Sequence, residues 1–88
     1  MDVPYKEYGE LRTFSSLIKD DELVWHRDRE DRILSPNHTT DWQFQFDNEL
    51  PILINKEIFI PKGTYHRIIK GKGDLTVKII KLENNETI

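Results

Sequence analysis

Trp42-Gln43-Phe44-Gln45-Phe46 alternates aromatic and amide side chains without a break, and this period of two decides the fold class. A strand with such a pattern buries one face and wets the other. The aromatics are read as the core face, because each one removed from water stabilises a fold by about 1.5–3 kcal/mol. The glutamines then face outward. Working outward, Asp47-Asn48-Glu49 is a turn and Leu50 to Ile54 is the returning strand. Asn55-Lys56-Glu57 turns again, and Ile58-Phe59-Ile60 forms a short strand ended by Pro61. Tyr65 to Ile69 is a further strand, Gly71-Lys72-Gly73-Asp74 a turn, and Leu75 to Leu82 the last strand.

On the N-terminal side, Ser35-Pro36-Asn37 is a breaker, and Arg32 to Leu34 is read as a short strand before it. Leu23 to Asp28 is read as a strand with Val24, His26 and Asp28 on one face and Leu23, Trp25 and Arg27 on the other. In residues 1–22 the apolar points Tyr5, Tyr8, Leu11, Phe14 and Leu17 fall at every third position. That spacing predicts a short helical or irregular segment packed on the body by its apolar edge, with an extra strand as the alternative. Residues 83–88 are expected to form a frayed tail. Seven or so short strands with turns every eight to twelve residues make this an all-β chain, a sandwich or a barrel. Periodicity does not choose among jelly roll, open barrel and immunoglobulin-like sandwich.

The bulk properties narrow the function. Eighty-eight residues suit one small domain, and 36% hydrophobic residues with nine aromatics suffice for one modest core. One-third of the residues are charged, with acids and bases interleaved, as on a solvated surface. A formal charge of -3 and a pI near 5.5 argue against nucleic-acid binding, which requires a basic stripe. With no cysteine there is no disulfide, thiolate metal site or cysteine nucleophile, which fits a reducing cytoplasm. No apolar run reaches the roughly 18 residues of a membrane span, and the acidic, polar N-terminus does not read as a signal peptide. The sequons at Asn37 and Asn85 are read as chance occurrences.

The stretch Ile58-Phe59-Ile60-Pro61-Lys62-Gly63-Thr64-Tyr65-His66-Arg67 resembles the second motif of the cupin superfamily, P-x-G-x-x-H after a short apolar strand. Proline ends the strand, glycine permits a tight bend, and the chain re-enters the sheet with His66 pointing inward. His26-Arg27-Asp28 resembles a variant of the first cupin motif, H-x-H followed by glutamate, with aspartate in place of the second histidine. Arg32 and Ile33 stand where the glutamate is expected, and the closing glycine is replaced by the loop from Ser35 to Thr40. The resemblance covers residues 23–82 and implies a small single-domain jelly-roll barrel, the double-stranded β-helix. Val24 to Arg32, Trp42 to Pro51 and Phe59 to Arg67 are similar to short cupin-like proteins of marine (cyanobacterial) bacteriophages. That similarity implies the cytoplasm of a host cell as location and leaves the chemistry open.

The residues that carry chemistry are His26, Asp28 and His66. Two residues apart on a strand, His26 and Asp28 share a face about 7 Å apart. The resemblance brings His66 beside them. Two histidines and one carboxylate compose the facial triad that holds iron(II) with positions left open, and zinc, nickel or manganese also accept the set. The plainer reading is a buried hydrogen-bonded His–Asp arrangement with no metal. Glu30 and Asp31 are the candidates for a fourth ligand, against their pairing with the arginines around them. His38 is read as solvated. An oxoglutarate-dependent oxygenase shares the H-x-D…H composition, but it needs a basic residue about ten positions past the distal histidine, where only Lys78 is near.

The expectation is therefore a cupin-like protein that binds one divalent metal and acts on a small polar molecule, with neither nucleic acid nor membrane as partner. The alternative is a metal-free cupin serving as a ligand-binding, protein-interaction or structural module of a phage. An external Trp25 and the free edges of so small a sheet favour a homodimer.

Overall fold

The computed structural model describes residues 4–82, and every regular element in them but one 3-10 turn, Asp20–Glu22, is a strand. In chain order these are β1 (Lys6–Tyr8), β2 (Leu11–Phe14), β3 (Asp31–Pro36), β4 (Gln43–Phe46), β5 (Ile52–Leu53), β6 (Ile58–Ile60), β7 (His66–Ile69) and β8 (Leu75–Leu82). They make two antiparallel sheets, β1-β2-β8-β3-β6 and β5-β4-β7, that enclose the core without closing into one barrel. The strands expected around Trp42–Phe46, at Ile58–Ile60 and at Leu75–Leu82 are all present. The tail at 83–88 lies outside the described residues.

Alternation carries the packing. Trp42 and Phe44 are fully buried while Gln43 and Gln45 are half-buried on the other face, where Gln45 accepts a hydrogen bond from Arg67 Nε at 2.9 Å. Leu75, Val77 and Ile79 of β8 face the same interior from the larger sheet, joined by Leu34 of β3 and Ile58 and Ile60 of β6. Trp42 Nε1 donates to the Gly73 carbonyl at 3.1 Å, so the buried indole leaves no donor unmatched.

Two expectations are corrected. The N-terminal segment is a β-hairpin, not a helix: Gly9 adopts φ 62 at the turn between Tyr8 and Leu11, which pair directly. A left-handed residue there reverses the chain, and β2 then gains a ladder with β8 from Leu11↔Lys78 to Phe14↔Leu75. Of the apolar points that fit a helix, Leu11 and Phe14 fall on opposite faces of β2, with Phe14 inward. The second correction concerns Leu23 to Asp28, which forms no continuous strand. Only His26 pairs, through an isolated antiparallel bridge to His66 at the edge of the smaller sheet. The segment has left that sheet by Asp28 and enters the larger one at Asp31, a crossing that cannot keep ladder pairing with either.

The registers fix two ends. Ile60 pairs with Arg32, Leu82 with Asp31 and Phe46 with His66, so these residues share one end of the sandwich. Phe14 pairs with Leu75 and Gln43 with Ile69 at the opposite end.

Candidate metal centre

Two crossings between the sheets meet at the first of these ends and build the site. One runs from His26 to Asp31 and the other from Pro61 to Tyr65. They are zipped together by backbone bonds: His26 N to His66 O at 3.0 Å, His66 N to His26 O at 2.9 Å, and Gly63 N to Asp28 O at 2.9 Å. Gly63 has φ 77, the left-handed conformation its place in P-x-G-x-x-H requires. Asp31 Oδ1 accepts from Lys62 N at 2.8 Å and pins the second crossing to the first.

The structure brings His26, Asp28 and His66 into one group, with one ligand atom of each lying within 4.8 Å of the others. His66 is buried, stacked on Phe44 at 5.4 Å between ring centroids, and met edge-on by His26 at 4.3 Å. His26 is exposed. In both histidines Nδ1 bonds the carbonyl two residues earlier: Val24 O at 3.1 Å for His26 and Thr64 O at 2.8 Å for His66. A carbonyl oxygen only accepts, so each Nδ1 carries the proton and each neutral ring presents a bare Nε2. This is the outer-shell device that orients histidine for a metal.

The Asp28 side chain is buried, with Oδ1 3.3 Å from Arg32 Nη1 and Oδ2 3.3 Å from His66 Nε2. Burial pushes its carboxyl pKa up. The His66 hydrogen bond, the Arg32 charge and the charges of His66 and His26 together outweigh burial and hold it below the ordinary aspartate value. The bond from His66 exists only while Nε2 carries a proton. With Nε2 bare, Oδ2 is a buried oxygen without a hydrogen-bond partner. Two lone-pair atoms then face each other out of water, an arrangement that a shared cation relieves. Ligands about 2.1 Å from a metal lie roughly 3–3.5 Å apart, the separation His66 and Asp28 already have. His26 completes the group, with its ligand atom within 4.8 Å of the other two. The residues present fit a divalent metal.

The fourth-ligand candidates are not in the group. Glu30 pairs with Arg32 Nε, as the arginine-pairing alternative has it, while Asp31 caps a backbone N–H. His38 is exposed yet not merely solvated: its Nε2 accepts from Thr76 N at 2.9 Å at the far end. Trp25 is half-exposed on the outer side, as expected from its alternation with His26, and carries the Arg67 guanidinium 4.6 Å above its ring.

A cavity of about 440 Å³ opens from the triad into the space between the sheets. Phe44, Leu34, Ile60 and Ile79 form its apolar wall, and Arg12, Arg32 and Lys81 line it from the larger sheet. Arg12 and Lys81 are absent from the sequence-based site. A signal for both existed: Lys81 continues the inward series of Leu75, Val77 and Ile79, and Arg12 precedes Phe14 by two.

No family model matches the chain, and no curated protein matches it. Among solved structures it is similar to protein NMB1881 from Neisseria meningitidis, with a TM-score of 0.52 and 18% identity over 90% of this chain and 80% of that one. At that identity the likeness concerns the fold alone. No helix among the described residues is long and apolar enough to cross a membrane.

Proposed function

We propose that this chain is a small cupin-type jelly roll that holds one divalent metal with His26, Asp28 and His66 and uses it on a small polar molecule entering the adjoining cavity. The carrying observation is Asp28 Oδ2, buried, 3.3 Å from His66 Nε2 and without a hydrogen-bond partner when that nitrogen is bare. Three protein ligands leave coordination positions for water or substrate, and a metal so held polarises a bound carbonyl or acidifies a bound water. Passage of the chain between the two antiparallel sheets from β3 to β4, from β5 to β6, from β6 to β7 and from β7 to β8 supports the jelly-roll assignment. The P-x-G-x-x-H bend at Gly63 supports the cupin reading.

The test is elemental analysis of untagged protein purified without added metal or chelator, repeated after incubation with iron(II), zinc, nickel or manganese. One equivalent of metal per chain, lost in the variant carrying both His26→Ala and His66→Ala, supports the proposal. A folded protein that takes up none of the four overturns it.

A second reading is favoured by Arg32. Its Nη1 lies 3.3 Å from Asp28 Oδ1, and a doubly protonated His66 completes the neutralisation of the carboxylate without metal. The chain is then a metal-free ligand-binding or interaction module, and the same analysis separates the two. Under either reading we propose a homodimer in the host cytoplasm, formed through the free edges at β1, β5 or β6. Sedimentation velocity tests the assembly, and a monomer at micromolar concentration sinks that part.

A further inference from the structure

The cavity is charged on one wall and coordinating on the other, and that division names a ligand class. Arg12 reaches the interior from β2, on the same face as Phe14. Its side chain is only 11% exposed and its guanidinium lies 4.5 Å over the Tyr5 ring. Nε bonds Glu7 Oε2 at 3.2 Å, and the terminal nitrogens make no hydrogen bond among the described residues. A guanidinium held at Nε by one carboxylate and lying over a ring leaves its terminal nitrogens free to donate to an anion.

Lys81 lines the same cavity from a solvent-exposed position and has no ion-pair partner among the described residues, so it seconds Arg12, the half-buried anchor. Arg32 adds a third cation but is engaged by Glu30 and Asp28. The acids on the lining are accounted for in turn. Asp28 belongs to the triad, Glu7 holds Arg12, and Glu22 is exposed to solvent at the rim, where its field is screened. Two neutral imidazoles and one carboxylate also leave a divalent ion incompletely neutralised, so both walls attract negative charge. Between them the lining is mostly aliphatic and aromatic.

We infer that the ligand is a small organic carboxylic acid, its carboxylate on Arg12 and Lys81 and its body on the apolar wall, with a second oxygen directed to the His26–Asp28–His66 group. The orientation rests on the metal reading, whereas the anion site stands on Arg12 and Lys81 alone. A cavity of about 440 Å³ has room for a small organic acid beside the triad.

Calorimetric titration of zinc-treated and metal-free protein with succinate and glutarate tests this, with glutaramide as the uncharged counterpart and butyl phosphate as the phosphate arm. Saturable binding of the acids is expected, at least tenfold tighter than the diamide. Arg12→Gln should weaken it at least tenfold while metal uptake stays as in the unaltered chain. Equal binding of acid and amide, no binding of either acid, or unchanged affinity in Arg12→Gln overturns the inference. Tighter binding of butyl phosphate overturns the carboxylate assignment. If Arg12→Gln does not fold, the acid–amide ratio on the unaltered chain decides. Metal uptake without acid binding removes this inference alone. Arg12-dependent acid binding in a chain that takes up no metal removes only the metal reading.

Discussion

The two ends of the sandwich lie between the same pair of sheets, yet they are built from opposite chemistry. Along β8 the inward series runs Leu75, Val77, Ile79 and then Lys81; along β3 it runs from Leu34 back to Arg32; along β2 from Phe14 back to Arg12. Each strand changes from apolar to cationic toward the end where the triad sits. The far end is dry, with Trp42 6.0 Å from Phe14 between ring centroids, and its loops are tied together by Lys72 N on Asp41 Oδ1 at 2.8 Å. Trp42 fills one end of the interior, and the cavity opens at the other.

Breaking the dry end should have the largest effect. Trp42→Ala removes a fully buried indole and strands the Gly73 carbonyl, so a loss of about 3–5 kcal/mol is expected in urea unfolding. A variant that unfolds with the midpoint of the unaltered chain would show that the core is not concentrated there.

The open end should draw most of its stability from its ligand. If zinc binds the folded chain alone, a concentration 100 times Kd raises stability by about 2.7 kcal/mol. Asp28→Asn should abolish that increment and lower metal-free stability only by the smaller contribution of the Asp28 carboxylate to its pairing with Arg32 and His66. Thermal denaturation with and without zinc measures both, and an equal zinc-dependent shift in the variant removes Asp28 from the site.

Gly71 probes the loops of the dry end. A Cβ there meets Asp41 Oδ1 and lies 2.8 Å from the Trp42 backbone nitrogen. Gly71→Ala is expected to cost about 1–3 kcal/mol by displacing the Asp41 turn, with metal uptake unchanged. A neutral result in urea unfolding would mean that this turn yields freely.

The smallest effect concerns acid. The Asp28 carboxyl titrates below its ordinary value of about 3.9. The unfolded chain therefore binds this proton more readily than the folded one. Its stabilising contribution is complete above the unfolded value and is lost as pH falls through the lower folded one. Unfolding free energy followed from pH 6 downward should show this loss in the unaltered metal-free chain and not in Asp28→Asn. Identical profiles would contradict the depressed value.

Much of this was legible locally. Alternation at Trp42–Phe46 identified the core face of β4, and the run Ile58–Ile60 ended by Pro61 matched β6. His26 and Asp28 were legible together from their spacing of two, whereas His66 was joined to them by the resemblance of its P-x-G-x-x-H stretch. The helical reading of residues 1–22 failed because a spacing of three over few residues fits a hairpin as well once Gly9 turns the chain. The strand reading of Leu23–Asp28 failed because a crossing segment can alternate without having a partner to pair with.

The sequence by itself determined the all-β class, most strand positions, the residue types of the triad and the lack of cysteine chemistry, since each follows from local pattern or composition. Only the tertiary structure decided that His26 bridges His66, that Glu30 and Asp31 stand apart from the triad, and that Arg12 and Lys81 share its cavity. Those facts depend on ladder register between segments up to about 70 residues apart. A shift of one residue in any ladder would turn the same side chain to the opposite face.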